Sequence, residues 1–340
     1  MKRLFPILGL TLAVVLAGCS GGASNSATAS TSGGGTPNAG GKALRVAMVF
    51  DSGGKGDKSF NDSAYMGLER AKKDLGIDFT TVDSKAEKDY ETNLETLSEK
   101  GYDLILAVGI TQGDALKRVA PKHPEIKFAI IDADVTAPNV RSLLFSEEQG
   151  SYLAGYLAGM TTKTNKIGFV GGKSIPLIKK FESGYFAGAK AANPKVEALP
   201  AKYTESWDDT LLGKESAASL FNSGADIVYH AAGRCGLGVI AAAKDADKFA
   251  IGVDSDQDDV EKGHVLTSMV KRVDEAVYAT VKDVKDGAFT PGAKKYDLKA
   301  NGVGLTEMKY TKDKVPADAM KRLDAVKADI ISGKITVPTS

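Results

Sequence analysis

The 340-residue chain is poor in the residues that usually betray metal or nucleophile chemistry: three His, two Cys and one Trp. The cysteines, Cys19 and Cys235, stand far apart. No His/Cys cluster suits zinc, and no cysteine framework suggests a disulfide scaffold. No strong excess of charge exists either, since 44 Lys and Arg face 43 Asp and Glu for a formal net charge of +1. Such a chain lacks the basic footprint of a nucleic-acid binder. Only one long apolar run occurs, at the N-terminus, which excludes a polytopic membrane protein. What remains is 43% hydrophobic and 26% charged, ordinary for a globular chain. At roughly 100–200 residues per domain, the length suggests two domains.

The N-terminus reads as an address. Met1-Lys2-Arg3 gives a positive start, and Leu4 to Leu16 an apolar stretch too short and wrongly flanked to span a bilayer. Leu16-Ala17-Gly18-Cys19 has the form of a bacterial lipobox, so residues 1–18 are expected to be removed and Cys19 lipidated. Ser20 to Gly41 is almost wholly Gly, Ser, Ala, Thr, Asn and Pro. It cannot bury a core and is expected to be a flexible tether of ~25 Å mean span.

The rest alternates strand and helix. Leu44–Phe50, Phe79–Val82, Asp103–Val108, Lys127–Asp132 and Val140–Phe145 are branched, apolar runs, separated by helical patterns such as Phe60, Ala64, Gly67, Leu68, Ala71 and Leu75. The pattern restarts at Glu147–Met160. Strands are expected at Lys166–Val170, Val196–Tyr203, Asp226–His230, Phe249–Val253 and Val265–Val270, and a last helix over Pro316–Ile331. Two βαβα halves in tandem call for two parallel sheets covered by helices.

Catalytic and phosphate motifs fail when tested. Gly172-Lys173-Ser174 ends like a P-loop, but the glycine required five positions earlier is Ile167. Asp254-Ser255-Asp256-Gln257-Asp258 begins like a calcium loop, yet its sixth position is Asp259 and its twelfth Val265. His123 and His264 lie in turns, His230 ends a buried strand, and nothing marks an activated Ser or Cys. No cofactor and no metal are expected. Polar residues instead gather where α/β sheets bind ligands, past the strand C-termini: Asp51, Asp132 and Asp254, with Gly233 at another such end. Ser59-Phe60-Asn61 opens the first helix, and Trp207 sits in the polar junction Ser206-Trp207-Asp208-Asp209. Phe60 and Trp207, one per half, could clamp a flat ring.

Asp51…Lys58-Ser59-Phe60-Asn61, Ile131-Asp132, Ser206-Trp207-Asp208, His230-Ala231-Ala232-Gly233, Gly252-Val253-Asp254-Ser255-Asp256-Gln257 and Thr267-Ser268-Met269-Val270-Lys271 together resemble the basic membrane protein family. These are purine-nucleoside-receptor-like lipoproteins, the substrate-binding components of ABC transporters. The resemblance implies a type I periplasmic-binding-protein fold, with two Rossmann-like lobes, three crossovers and a ligand in the cleft. It implies lobes of residues 43–146 plus about 271–300, and 147–270 plus about 301–340. By position, Phe60 and Trp207 would sandwich a purine, with Trp207 replacing the expected Phe. Asn61 and Asp132 would meet the base edge, Asp254 and Lys271 the ribose, and Gly233 would let backbone approach the sugar. Asp51 and Ser59 would line the same wall. An ion pair between Asp254 and Lys271 is the purely structural alternative. The implied protein is a lipid-anchored, extracytoplasmic monomer that hands nucleosides to a membrane permease. A sugar- or furanose-signal binder of the same fold, or a nucleoside-processing enzyme, are the alternatives.

Overall fold

A computed structural model describes residues 43–340; the expected leader over residues 1–18, Cys19 and the Gly/Ser-rich stretch lie outside the described residues. The first half runs β1 (Arg45–Phe50), α1 (Phe60–Leu75), β2 (Asp78–Asp83), α2 (Asp89–Glu99), β3 (Leu104–Val108), α3 (Gly113–Val119), β4 (Lys127–Ile131) and β5 (Val140–Phe145). The second runs α4 (Glu147–Thr161), β6 (Lys166–Gly171), α5 (Pro176–Ala192), β7 (Glu197–Ala198), β8 (Lys202–Tyr203), α6 (Thr210–Asn222), β9 (Ile227–Ala231), α7 (Cys235–Asp245), β10 (Phe249–Asp254) and β11 (Val265–Lys271). The chain then recrosses: α8 (Val273–Lys285), β12 (Gly292–Tyr296), β13 (Val303–Leu305) and α9 (Ala319–Ile331).

Two sheets result, ordered β12-β5-β4-β3-β1-β2 and β13-β11-β10-β9-β6-β7. Every pair in the first is parallel, and in the second only β13 runs antiparallel. Parallel strands must be covered on both faces, which is why they read as continuous apolar runs. In β1, Val46, Met48 and Phe50 enter one core and Ala47 and Val49 the other. The chain passes between the sheets three times, at 145–147, 271–273 and 296–303. The fold is therefore an α/β one with two doubly covered parallel sheets and a cleft at their strand C-termini.

Three local readings change. Val196–Tyr203 is two short pieces, each pairing β6, because Pro200 lacks the N–H a continuous strand needs. The last helix starts at Ala319, not Pro316. β12 and β13 were not anticipated. β12 is an edge strand of sequence Gly-Ala-Lys-Lys-Tyr with four exposed residues, so it carries no alternating apolar signal.

The helix pair α4 and α5 is packed with backbone against backbone. A Cβ on Gly155, Gly159, Gly184 or Gly188 would fall 1.8–2.4 Å from a carbonyl oxygen of the facing helix. Only glycine permits that approach.

Candidate functional site: an interlobe cleft

The C-terminal ends of β1, β4 and β10 deliver Asp51, Asp132 and Asp254 to one place. Asp132 and Asp254 each hold positive φ, 72° and 64°. Asp is among the few side chains that tolerate this left-handed backbone, because it is short and can bond locally. The left-handed backbone bends the chain at the strand end, and both carboxylates line the cleft between the sheets.

The helix that follows β1 is capped from upstream. Asp57 accepts backbone N–H groups of Ser59 (2.9 Å), Asn61 (2.9 Å) and Asp62 (3.1 Å), satisfying first-turn donors of α1. Ser59 is thereby freed from capping. Its Oγ donates across the lobes to Asp254 Oδ2 at 2.5 Å. Asn61 Nδ2 donates to Asp51 Oδ1 at 3.0 Å and to Asp57 Oδ2 at 3.2 Å.

Trp207 is fixed by its segment. Ser206 Oγ donates to Asp208 Oδ1 and accepts the Asp208 and Asp209 N–H groups. Asp209 then caps α6, accepting from Leu211 N (2.9 Å) and Leu212 N (3.3 Å). The indole lies against Gly172, where a Cβ would stand 2.2 Å from Cζ3.

These elements enclose a cleft of about 590 Å³ counting its open mouth. Asp51, Phe60, Asn61, Asp132, Trp207, Gly233, Asp254 and Lys271 all line it. Ser59 does not; it touches the cleft through Asp254. Leu177, Ile178 and Phe181 of α5 add an apolar wall that the sequence reading did not name.

The Asp254–Lys271 ion pair considered from sequence does not form. Lys271 Nζ instead donates to Asp132 Oδ2 at 2.6 Å and lies 3.1 Å from Glu147 Oε1. Lys271 is 1% exposed, and its ammonium also stands 5.0–5.6 Å from the ring centroids of Phe60, Phe145 and Phe181. Two further acids therefore belong to the site, Asp57 and Glu147. Each sits at a helix start, where an acid reads as an ordinary complement to the helix dipole, so the sequence alone did not single them out.

Burial dominates the electrostatics. It pushes Asp254 up to about 7, against the pull of Lys271 and the Ser59 bond. It pushes Asp51 to about 6 despite the bonds from Asn61 and Gly53, and Asp132 to about 6 despite Lys271. Lys271 is held well above its ordinary value, because the surrounding carboxylates outweigh its own burial. His230, buried under the cleft beside Gln257, is lowered to about 4 by burial and stays neutral.

The lobes touch around the cleft mouth. Arg234 Nη2 donates to Gly53 O (3.2 Å) and Lys55 O (2.6 Å), Gln257 Nε2 to Lys58 O (3.1 Å), and Ser255 Oγ to Ser59 O (3.0 Å). All four acceptors lie in the loop between β1 and α1.

Two α/β lobes, three crossing segments and a polar cleft with aromatic walls have the form of a two-lobed solute-binding protein. The chain belongs to the family described as ABC transporter substrate-binding protein PnrA-like, which it matches over residues 44–340. It is thus the substrate-binding component of an ABC transporter, not an enzyme. The CD4+ T-cell-stimulating antigen of Listeria monocytogenes is 39% identical over 87% of this chain and 88% of its own. The ABC transporter nucleoside-binding protein BmpA of Lactococcus lactis is 37% identical over 87% and 89%. A crystal structure of an ABC transporter solute-binding protein from Aeropyrum pernix superposes with a TM-score of 0.82 at 32% identity, covering 87% of this chain and 94% of that one. Relatives include chains named lipoprotein in Pyrococcus and basic membrane protein in Borrelia. Among the described residues no helix is long and apolar enough to cross a membrane.

Proposed function

We propose that this protein captures purine nucleosides in the interlobe cleft and delivers them to its permease. The observation that carries the reading is the charge of the lining: four carboxylates, Asp51, Asp57, Asp132 and Asp254, against one ammonium that two acids already occupy. Such a cleft repels anions and favours a neutral ligand rich in hydrogen-bond donors. The half-buried rings of Phe60 and Trp207 and the α5 wall add flat, apolar surface. A nucleoside unites those properties; a nucleotide brings the wrong charge, and a free sugar lacks the flat faces. The nucleoside-binding Lactococcus relative supports the same class.

In this reading Phe60 and Trp207 sandwich the base, Asn61 and Asp132 meet its edge, and Asp254 takes ribose hydroxyls while Lys271 holds the adjoining carboxylate. Gly233, with φ of 56°, brings backbone close to the sugar. Calorimetry with guanosine, inosine and adenosine beside their 5′-monophosphates and ribose tests it. Nucleosides should bind, and the phosphates and ribose should not. Ribose binding as tightly as a nucleoside would put the sugar-binding reading first.

Anchoring through lipid on Cys19, after cleavage of residues 1–18, completes the proposal. It rests on Leu16-Ala17-Gly18-Cys19 and on lipoprotein relatives. One acyl chain holds only marginally, so a multiply acylated Cys19 is required. Membrane partitioning that survives Cys19→Ala would refute it.

A further inference from the structure

The Asn61 side chain has only one orientation open to it. A primary amide owns two N–H bonds, and both are spent on the carboxylates of Asp51 and Asp57. Turning the amide over would set its oxygen against two acceptors. The oxygen therefore faces the remaining side, where it is buried, without a protein partner, in a residue that lines the cleft. Asp57 is the fixed point of this arrangement. It is 0% exposed and clamped by three backbone N–H groups. A second acceptor stands in the same condition: Asp132 Oδ1 is buried and unpartnered, its other oxygen taken by Lys271.

We propose that Asp57 is a positioning residue that locks Asn61 with its oxygen toward the ligand, and that the base end of the cleft consequently ranks purines by the donors on their edge. This rests on the nucleoside reading above. Guanine offers N1–H and the exocyclic N2–H₂ side by side. Hypoxanthine keeps N1–H alone. Adenine has a lone pair at N1, which meets acceptors badly. Asn commonly reads adenine by accepting from N6 and donating to N7. Here no Asn61 N–H is left to donate. The resulting order is guanosine, then inosine, then adenosine.

Calorimetry at pH 7.5 on the intact mature protein tests the order. Adenosine should bind on the order of tenfold or more weakly than guanosine, with inosine between. Asp57→Asn keeps the shape but lets the Asn61 amide turn. It should shrink the guanosine-to-adenosine ratio to within about threefold. A merely structural Asp57 would weaken all three nucleosides alike and leave the ratio unchanged, which overturns the positioning role. Should that variant not fold, ¹⁵N NMR of the parent reads the same point. Both Asn61 side-chain amide protons should be protected from exchange without ligand, and fast exchange overturns the lock. Adenosine binding as well as guanosine overturns the donor ranking but leaves the nucleoside reading standing. Failure of every purine nucleoside to bind overturns both.

Discussion

Lys271 and Asp132 reach each other from different sheets. Lys271 closes β11, Asp132 follows β4, and the 2.6 Å pair between them is sealed from solvent beside the crossing at 145–147. Glu147 shares the ammonium from the first residue of α4. One cation thus ties both lobes and a crossing segment together under the ligand site.

Removing that cation should be severe. Lys271→Met leaves Asp132 buried without its paired cation and Glu147 with only Lys180, at 3.7 Å, a loss of roughly 3–5 kcal/mol. Thermal unfolding should show a Tm drop on the order of 10 °C. A variant as stable as the parent would show that the ammonium does not hold these acids.

The cleft acids should make the ligand-free protein more stable in mild acid. Asp51, Asp132 and Asp254 titrate near 3.8 when unfolded but near 6, 6 and 7 when folded. Between those values the folded chain holds more protons, so stability falls as pH rises from about 4 to 7 and is level above. The ligand-free Tm should therefore be higher at pH 5.5 than at 7.5. Asp254→Asn should raise the folding stability at pH 7.5 by about 1–2 kcal/mol and flatten the profile while weakening nucleosides. A Tm that climbs from pH 5.5 to 7.5 contradicts the assignment.

Trp207 and the glycine behind it can be separated. Trp207→Ala should cost on the order of 10–100-fold in nucleoside affinity through lost stacking and burial. Gly172→Ala places a Cβ where the ring now lies and should displace the indole, costing at least several-fold while leaving every cleft-lining side chain in the sequence. Parent-like titrations for both variants would exclude the aromatic clamp.

Arg234 grips the opposite lobe without lining the cleft. Arg234→Ala should speed ligand release roughly five- to tenfold in stopped-flow fluorescence of Trp207 and leave association nearly unchanged, since affinity changes within one interface lie mostly in dissociation. A slowed association with unchanged release would place its role in capture instead.

Much of the architecture is readable from sequence because parallel strands buried on both faces must be uninterrupted branched runs, as in Val46–Phe50 and Leu104–Val108. Asp51, Asp132 and Asp254 are readable for a related reason: each is the first acid after such a run. β12 escapes detection because an edge strand with solvated lysines has nothing to alternate. The partner of Lys271 escapes because three separate crossings decide which carboxylate arrives. Asp57 escapes because an acid before a helix looks like a cap, and it is one; its second duty toward Asn61 exists only in three dimensions.

The glycine contact between α4 and α5 has a mechanical consequence. With backbones touching, the two helices cannot slide or tilt independently, and they behave as one beam. One end of the beam is Glu147, on the crossing segment; its flank carries Ile178 and Phe181, a wall of the cleft. Any rotation at the 145–147 joint is thus delivered undamped to the surface that the ligand meets, and ligand pressure on Phe181 is delivered back to the joint.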